Sequence, residues 1–306
     1  MNCRAVPPPL PRPILPPPAA GALTGYGLVA VVALFFGAAP TLARLAFDGG
    51  TGTLTLQFAR FAFAAVGLWL LLAATGRIAP IARRLLPLVT VLVLLSAGAS
   101  YGYMTSVRTI PVPVASLVFF TFPLMVGPLA HLIGDERLTL RRVLALCVGF
   151  AGIALVLEGG VAHADPLGLA LAFGGGVCVA VSFQVSRRLT IEVSPMLLTA
   201  VVAGASALVC GALLLFHGAI DLPVTTRGWV GVAGNAVAYT VGLSCLFAAI
   251  QRLGAVTTAV AGNLEPVVSV ALAAVVLGEA LSGIQLVGGV VVLAGIALAQ
   301  SRWRAN

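Results

Sequence analysis

Residues 122–138 read FPLMVGPLAHLIGDERL, and residues 265–281 read EPVVSVALAAVVLGEAL. In both stretches a proline (Pro123, Pro266) precedes a glutamate (Glu136, Glu279) by thirteen residues, and a leucine follows two residues later (Leu138, Leu281). The two copies lie 143 residues apart, and at the same offset Ala-Gly-Ile-Ala-Leu occurs at 151–155 and 294–298. Several matches at one constant offset mark an internal repeat of about half the chain. The matching loops differ in charge: Arg137, Arg141 and Arg142 stand opposite Ala280, Ile284 and Gln285.

Composition says what kind of repeat this is. Of 306 residues, 60% are hydrophobic and 8% charged, and mean hydropathy is +1.11. Soluble domains carry about 25% charged residues, so a soluble surface is excluded. Lipid-facing helices need no hydrated exterior. Ten apolar segments follow one another at 24–45, 53–73, 86–108, 114–133, 142–158, 166–186, 195–216, 228–250, 256–277 and 283–300. A helix of about 20 residues crosses the hydrocarbon layer. The fold expected is therefore all-α and integral to the membrane, with ten transmembrane helices in two five-helix repeats. Residues 1–20 hold eight prolines and read as a Pro-rich disordered tail. Residues 21–160 form the first repeat and 161–306 the second.

The net charge of +8 comes from 17 arginines with no lysine, mostly in short loops. That placement sets topology rather than a nucleic-acid surface. With the N-terminus inside, thirteen arginines fall on cytoplasmic segments and three (Arg44, Arg108, Arg227) on the opposite side. Both termini are expected in the cytoplasm of a cell whose plasma membrane holds the chain. Five helices per half is an odd number, so the second half enters from the other side and the repeats are inverted.

With the doubled Pro-to-Glu pattern, the GIAL segments and Arg60-Phe61 of the second helix, residues 24–300 resemble the EamA-type members of the drug/metabolite transporter superfamily. The resemblance implies a central cavity between the halves and export or facilitated passage of amino acids, related metabolites or drug-like solutes. The partners are then a small-molecule substrate and the lipid bilayer, with protons as one option for a coupling ion and a homodimer left open.

Two ionisable residues lie well inside helices, where a charge costs roughly 2.5–3.5 kcal/mol on the insertion scale. Glu265 can take up a proton or hold a substrate amine; it can also cap backbone groups beside Pro266. Arg60 can hold a substrate carboxylate as a bidentate pair, neutralise Glu265, or snorkel outward. Pro123 and Pro266 each remove a donor in mid-helix and so suggest gating hinges. Glu136 and Glu279 read as caps at helix ends. Polar groups at middle depth are candidates to line the cavity: Tyr101, Gln184, Asn235, Tyr239 and Asn263, with Gln57, Tyr103 and Ser244. Phe119 and Phe120 read as packing, and Trp229 and Trp303 as interface anchors.

The scattered cysteines and histidines show no ligand spacing, so no metal or other cofactor is expected. No GxxxxGK[ST] loop suggests an ATP-driven pump. The competing reading is an integral membrane transferase, which would need clustered carboxylates; the acids pair only at Asp135-Glu136. A transporter, not an enzyme, is the expectation.

Overall fold

The computed structural model describes residues 19–110, 115, 118–134, 139–157, 165–217, 220–277 and 282–300. The proline-rich tail up to residue 18, Glu136, Glu279 and Trp303 lie outside these residues. All described elements are helical: α1 (Ala19–Asp48), α2 (Thr53–Ala74), α3 (Leu86–Thr109), α4 (Phe122–Leu132), α5 (Leu140–Leu157), α6 (Pro166–Leu189), α7 (Pro195–His217), α8 (Thr226–Leu253), α9 (Ala255–Gly262), α10 (Leu264–Leu277) and α11 (Gly283–Gln300). A short 3-10 turn (Arg83–Leu85) leads into α3.

Six of these helices are long and apolar enough to cross a membrane: α1, α2, α3, α6, α7 and α8. The shorter α4, α5 and α11 are apolar as well. The chain is thus a multi-pass membrane protein. The fourth and ninth expected segments are not continuous helices. Residues 118 and 119 are helical, Phe120 and Thr121 form a turn, and α4 begins at Phe122. Likewise α9 ends at Gly262, Asn263 interrupts it, and α10 begins at Leu264. Apolar composition alone hides such breaks, because each half-helix keeps the hydropathy of an unbroken one.

The breaks change the meaning of both prolines. Pro123 is the second residue of α4 and Pro266 the third of α10. In a first turn the missing N–H has no intrahelical partner to lose, and the fixed φ favours helix entry. Thr121 (φ −69°, ψ −15°) and Asn263 (φ −59°, ψ −9°) keep near-helical dihedrals across the breaks, so each proline follows a local interruption of the helical hydrogen bonds.

Packing is pairwise. The most extensive contacts join α1 to α8, α5 to α11, α3 to α6 and α2 to α7. Glycines let these backbones meet, as small residues do in bilayers. A Cβ on Gly152 would lie 2.6 Å from Val292 N, and one on Gly295 would lie 2.8 Å from Gly149 N. On the α1–α8 crossing, a Cβ on Gly231 would lie 2.5 Å from Ala46 N and 2.6 Å from Leu42 O. At Gly254 the chain turns from α8 straight into α9 with φ +84. A side chain there would strain the backbone.

Several arginines do more than set topology. Arg187 Nη1 donates to Gln251 O at 3.0 Å, at the end of α8. Arg141 Nε donates to Leu298 O at 2.9 Å, at the end of α11. Both satisfy orphan carbonyls of a helix C-terminus, where a cation is favoured.

Candidate functional site

A cavity of about 220 Å³ lies among α1, α2, α3, α6, α8, α9, α10 and the turn before α4. Its walls follow helical periodicity. On α3, Ser96, Ala99, Ser100, Tyr103 and Met104 face it; on α8, Tyr239, Leu243, Leu246, Phe247 and Ile250 do so. Spacings of three and four residues place each set on one helix face. Tyr101 falls between them and is 58% exposed on the other side of α3. It does not reach the cavity, which corrects its expected placement.

Among the described residues two charged side chains line the cavity: Arg60 from α2 and Glu265 from the first turn of α10. Arg60 is 7% exposed. Its Nη2 donates to Ser100 Oγ, and its guanidinium lies 4.9 Å from the ring centroids of both Phe61 and Tyr239. The negative ring faces stabilise the cation by about 0.5–2 kcal/mol each. Gln57 Nε2 also donates to Ser100 Oγ, at 2.5 Å. Arg60 is thus held by α3 and α8 and does not snorkel. Among the described residues no ion pair joins it to Glu265. Arg60 therefore does not neutralise Glu265 by direct contact in this structure. Glu265 is half-buried, and no hydrogen bond holds its carboxylate among the described residues.

Three other candidates are buried between helices and do not line the cavity. Asn235 Nδ2 donates to Ala39 O at 2.9 Å, tying α8 to α1. Gln184 Nε2 donates to Val126 O at 2.8 Å, tying α6 to α4. Asn263 is 2% exposed at the α9–α10 break, and its amide lies against Gly149 of α5. Such bonds between helices are worth about 0.6 kcal/mol on average in a membrane protein. Tyr239 does line the cavity, and its ring meets Phe61 edge-on at 5.0 Å.

Sequence reasoning missed the aromatic wall. Phe119, Phe120 and Phe122 line the cavity and contact one another, with centroids 5.7 to 6.0 Å apart. Phe183 extends the group from α6, 5.6 Å from Phe122. The signal was the run of aromatics beside Pro123, which reads as packing while the segment is taken as one unbroken helix. Ser100 was missed as well. Its spacing from Ser96 and Tyr103 was the available clue.

The sequence model of the EamA-like transporter family matches residues 23–158 and again 166–300. An uncharacterized transporter of Archaeoglobus fulgidus is 28% identical over 205 residues, which are 66% of this chain and 71% of that protein. The threonine/homoserine exporter RhtA is 28% identical in Salmonella typhimurium and 29% in Escherichia coli, over 194 residues. That stretch is 62% of this chain and 62% of the exporter, so somewhat under two thirds of the exporters' length is matched. A solved crystal structure superposes with a TM-score of 0.75 at 19% identity, covering 92% of this chain and 98% of the other; it speaks for the fold alone. With the family matched over both halves, the chain belongs to the EamA-like transporter family and is a membrane transporter of small solutes.

Proposed function

We propose that this chain is a secondary exporter of small zwitterionic solutes of the amino-acid class, working by alternating access between two inverted five-helix repeats. The observation that carries the reading is the cavity with one unpaired cation and one unpaired anion between apolar and aromatic walls. Arg60 takes the carboxylate, Glu265 the ammonium group, and Phe119, Phe120 and Phe122 the apolar remainder. Size favours this class over drug-like solutes, since pockets for the latter run about 300–1,000 Å³ and this one is about 220 Å³. That relatives are named threonine/homoserine exporters agrees with it.

A two-fold relation between the halves is supported by how helices correspond across the 143-residue offset, and the unequal arginines at matching loops favour its inverted form. The bounds of α5 (140–157) map onto α11 (283–300), and α2 (53–74) onto α7 (195–217). The α1–α8 pairing becomes α6–α3, while the α2–α7 and α5–α11 pairings map onto themselves. A two-fold relation has that property. Exchanging the conformations of the halves would turn an inward-open cavity outward. The arginine distribution favours cytoplasmic termini, with the plasma membrane as the expected location.

Glu265 would also exchange protons with the carrier's two sides and so couple transport to a pH gradient. A facilitator without coupling would share the cavity and lack only that step.

The test is counterflow of radiolabelled threonine in proteoliposomes holding purified protein. The proposal expects saturable exchange that is lost in both Arg60→Gln and Glu265→Gln. Equal threonine movement in protein-free and protein-bearing vesicles, or full activity in both variants, would overturn it.

A further inference from the structure

The surroundings of Arg60 hold three hydrogen-bond donors, and two of them, Arg60 Nε and the Tyr239 hydroxyl, are buried with no acceptor among the described residues. A guanidinium stays charged at any physiological pH, and a buried charge without a partner is strongly unfavourable. Arg60 has only a neutral hydroxyl and two ring faces for company, and its Nε has no partner. Tyr239, 9% exposed, carries a buried hydroxyl with no partner. Ser100 is the third donor. A serine oxygen has two acceptor lone pairs and one O–H. Arg60 and Gln57 both donate to it, and its hydrogen is left to the cavity or to the Gln57 amide oxygen, which has no donor among the described residues. All three residues line the cavity. Glu265 lines it too, but from α10 and beyond ion-pair reach of Arg60.

We propose that Arg60, Tyr239 and Ser100 form a site for a small monovalent anion, occupied by chloride from solution in the solute-free cavity and by the solute's carboxylate during transport. The carboxylate part rests on the proposed function; the chloride part stands without it. Chloride and solute then compete. Transport is predicted to weaken as chloride rises, with no change at saturating solute.

The test compares purified full-length protein in detergent in sodium chloride and in sodium gluconate at equal ionic strength. Binding to the folded state alone raises the melting temperature. The wild type is expected to melt about 2–4 °C higher in chloride, with a saturable dependence on chloride concentration. Tyr239→Phe, which keeps the ring on Arg60, should show a smaller shift, and Arg60→Gln none. Equal melting temperatures of the wild type in both salts, or an undiminished chloride shift in Arg60→Gln, would overturn the anion site. Should Arg60→Gln not fold, Ser100→Ala serves in its place and must also lose most of the shift. Threonine counterflow measured in the same two salts separates the claims. Lower apparent affinity in chloride supports the site. Threonine exchange that depends on Arg60 but is indifferent to chloride would refute it and leave the exporter reading standing.

Discussion

Where the first half sets Ser96, Ser100, Tyr103 and Met104 against the cavity, the second half sets Tyr239, Leu243, Leu246 and Phe247, each 143 residues further on. Phe36 and Val179 correspond in the same way, as do Phe119 and Gly262. The two halves contribute the same positions with different chemistry. The charges show this most sharply. Arg60 has Ala203 as its counterpart, and Glu265 has Phe122. Backbone correspondence gives the two halves matching cavity positions; side-chain divergence sets a guanidinium on one wall and a carboxyl group on the other. A zwitterion can satisfy both charges in only one orientation.

The comparison can be broken first at the packing that both halves share. Gly152→Leu should have the largest effect, because its Cβ alone would lie 2.6 Å from a backbone nitrogen of α11. Overpacking costs about 1–3 kcal/mol in ordinary cores and more against backbone. The expected outcome is loss of monodisperse protein on size-exclusion chromatography. Gly174→Ala is the control, as nothing lies within 4 Å of a Cβ there, and it should behave as wild type.

The next largest effects concern the two walls. Removing a hydrogen bond to a charged group costs about 1.5–3 kcal/mol. Arg60→Gln should therefore weaken threonine binding roughly ten- to a hundredfold, measured by calorimetric titration. Glu265→Gln should also weaken it, and should in addition abolish accumulation driven by a pH gradient, since an amide cannot carry the proton. Unchanged pH-driven accumulation in folded Glu265→Gln would remove the coupling role. Moving the carboxylate to the matching position of the other half, with Phe122→Glu and Glu265→Phe together, should not restore transport. The carboxylate would then arise from α4 in place of the aromatic wall.

The smallest effect is expected far from the cavity. Arg84 and Glu192 pair at 2.6 Å, with side chains 74% and 42% exposed. Exposed pairs are worth about 0–1 kcal/mol. Arg84→Ala should leave the melting temperature and threonine exchange near wild type.

Much of the scaffold was legible in the sequence, because apolar runs and the 143-residue offset are long-range regularities that local detail does not blur. The broken fourth and ninth segments were not legible. Asn263 and the Phe120-Thr121 turn leave hydropathy unchanged. At the site, Arg60, Glu265 and Tyr239 stood out as polar groups in apolar helices and do meet at one cavity. Tyr101, Asn235, Gln184 and Asn263 carried the same signal and go elsewhere. Depth along a helix can be counted from sequence, but which face meets the cavity depends on packing partners far along the chain. Asn235 and Gln184 show what such groups do otherwise, each binding a carbonyl of a neighbouring helix.

The central claim is that the halves enter the membrane from opposite sides and enclose one cavity. Thr139 and Ser282 occupy matching positions, 143 residues apart, before α5 and α11. Single cysteines placed there, in a background with the native cysteines replaced, can be labelled in intact cells and in inverted vesicles with a membrane-impermeant maleimide. The account predicts that Thr139→Cys reacts only from the cytoplasmic side and Ser282→Cys only from the outside. Labelling of both from the same side would contradict it.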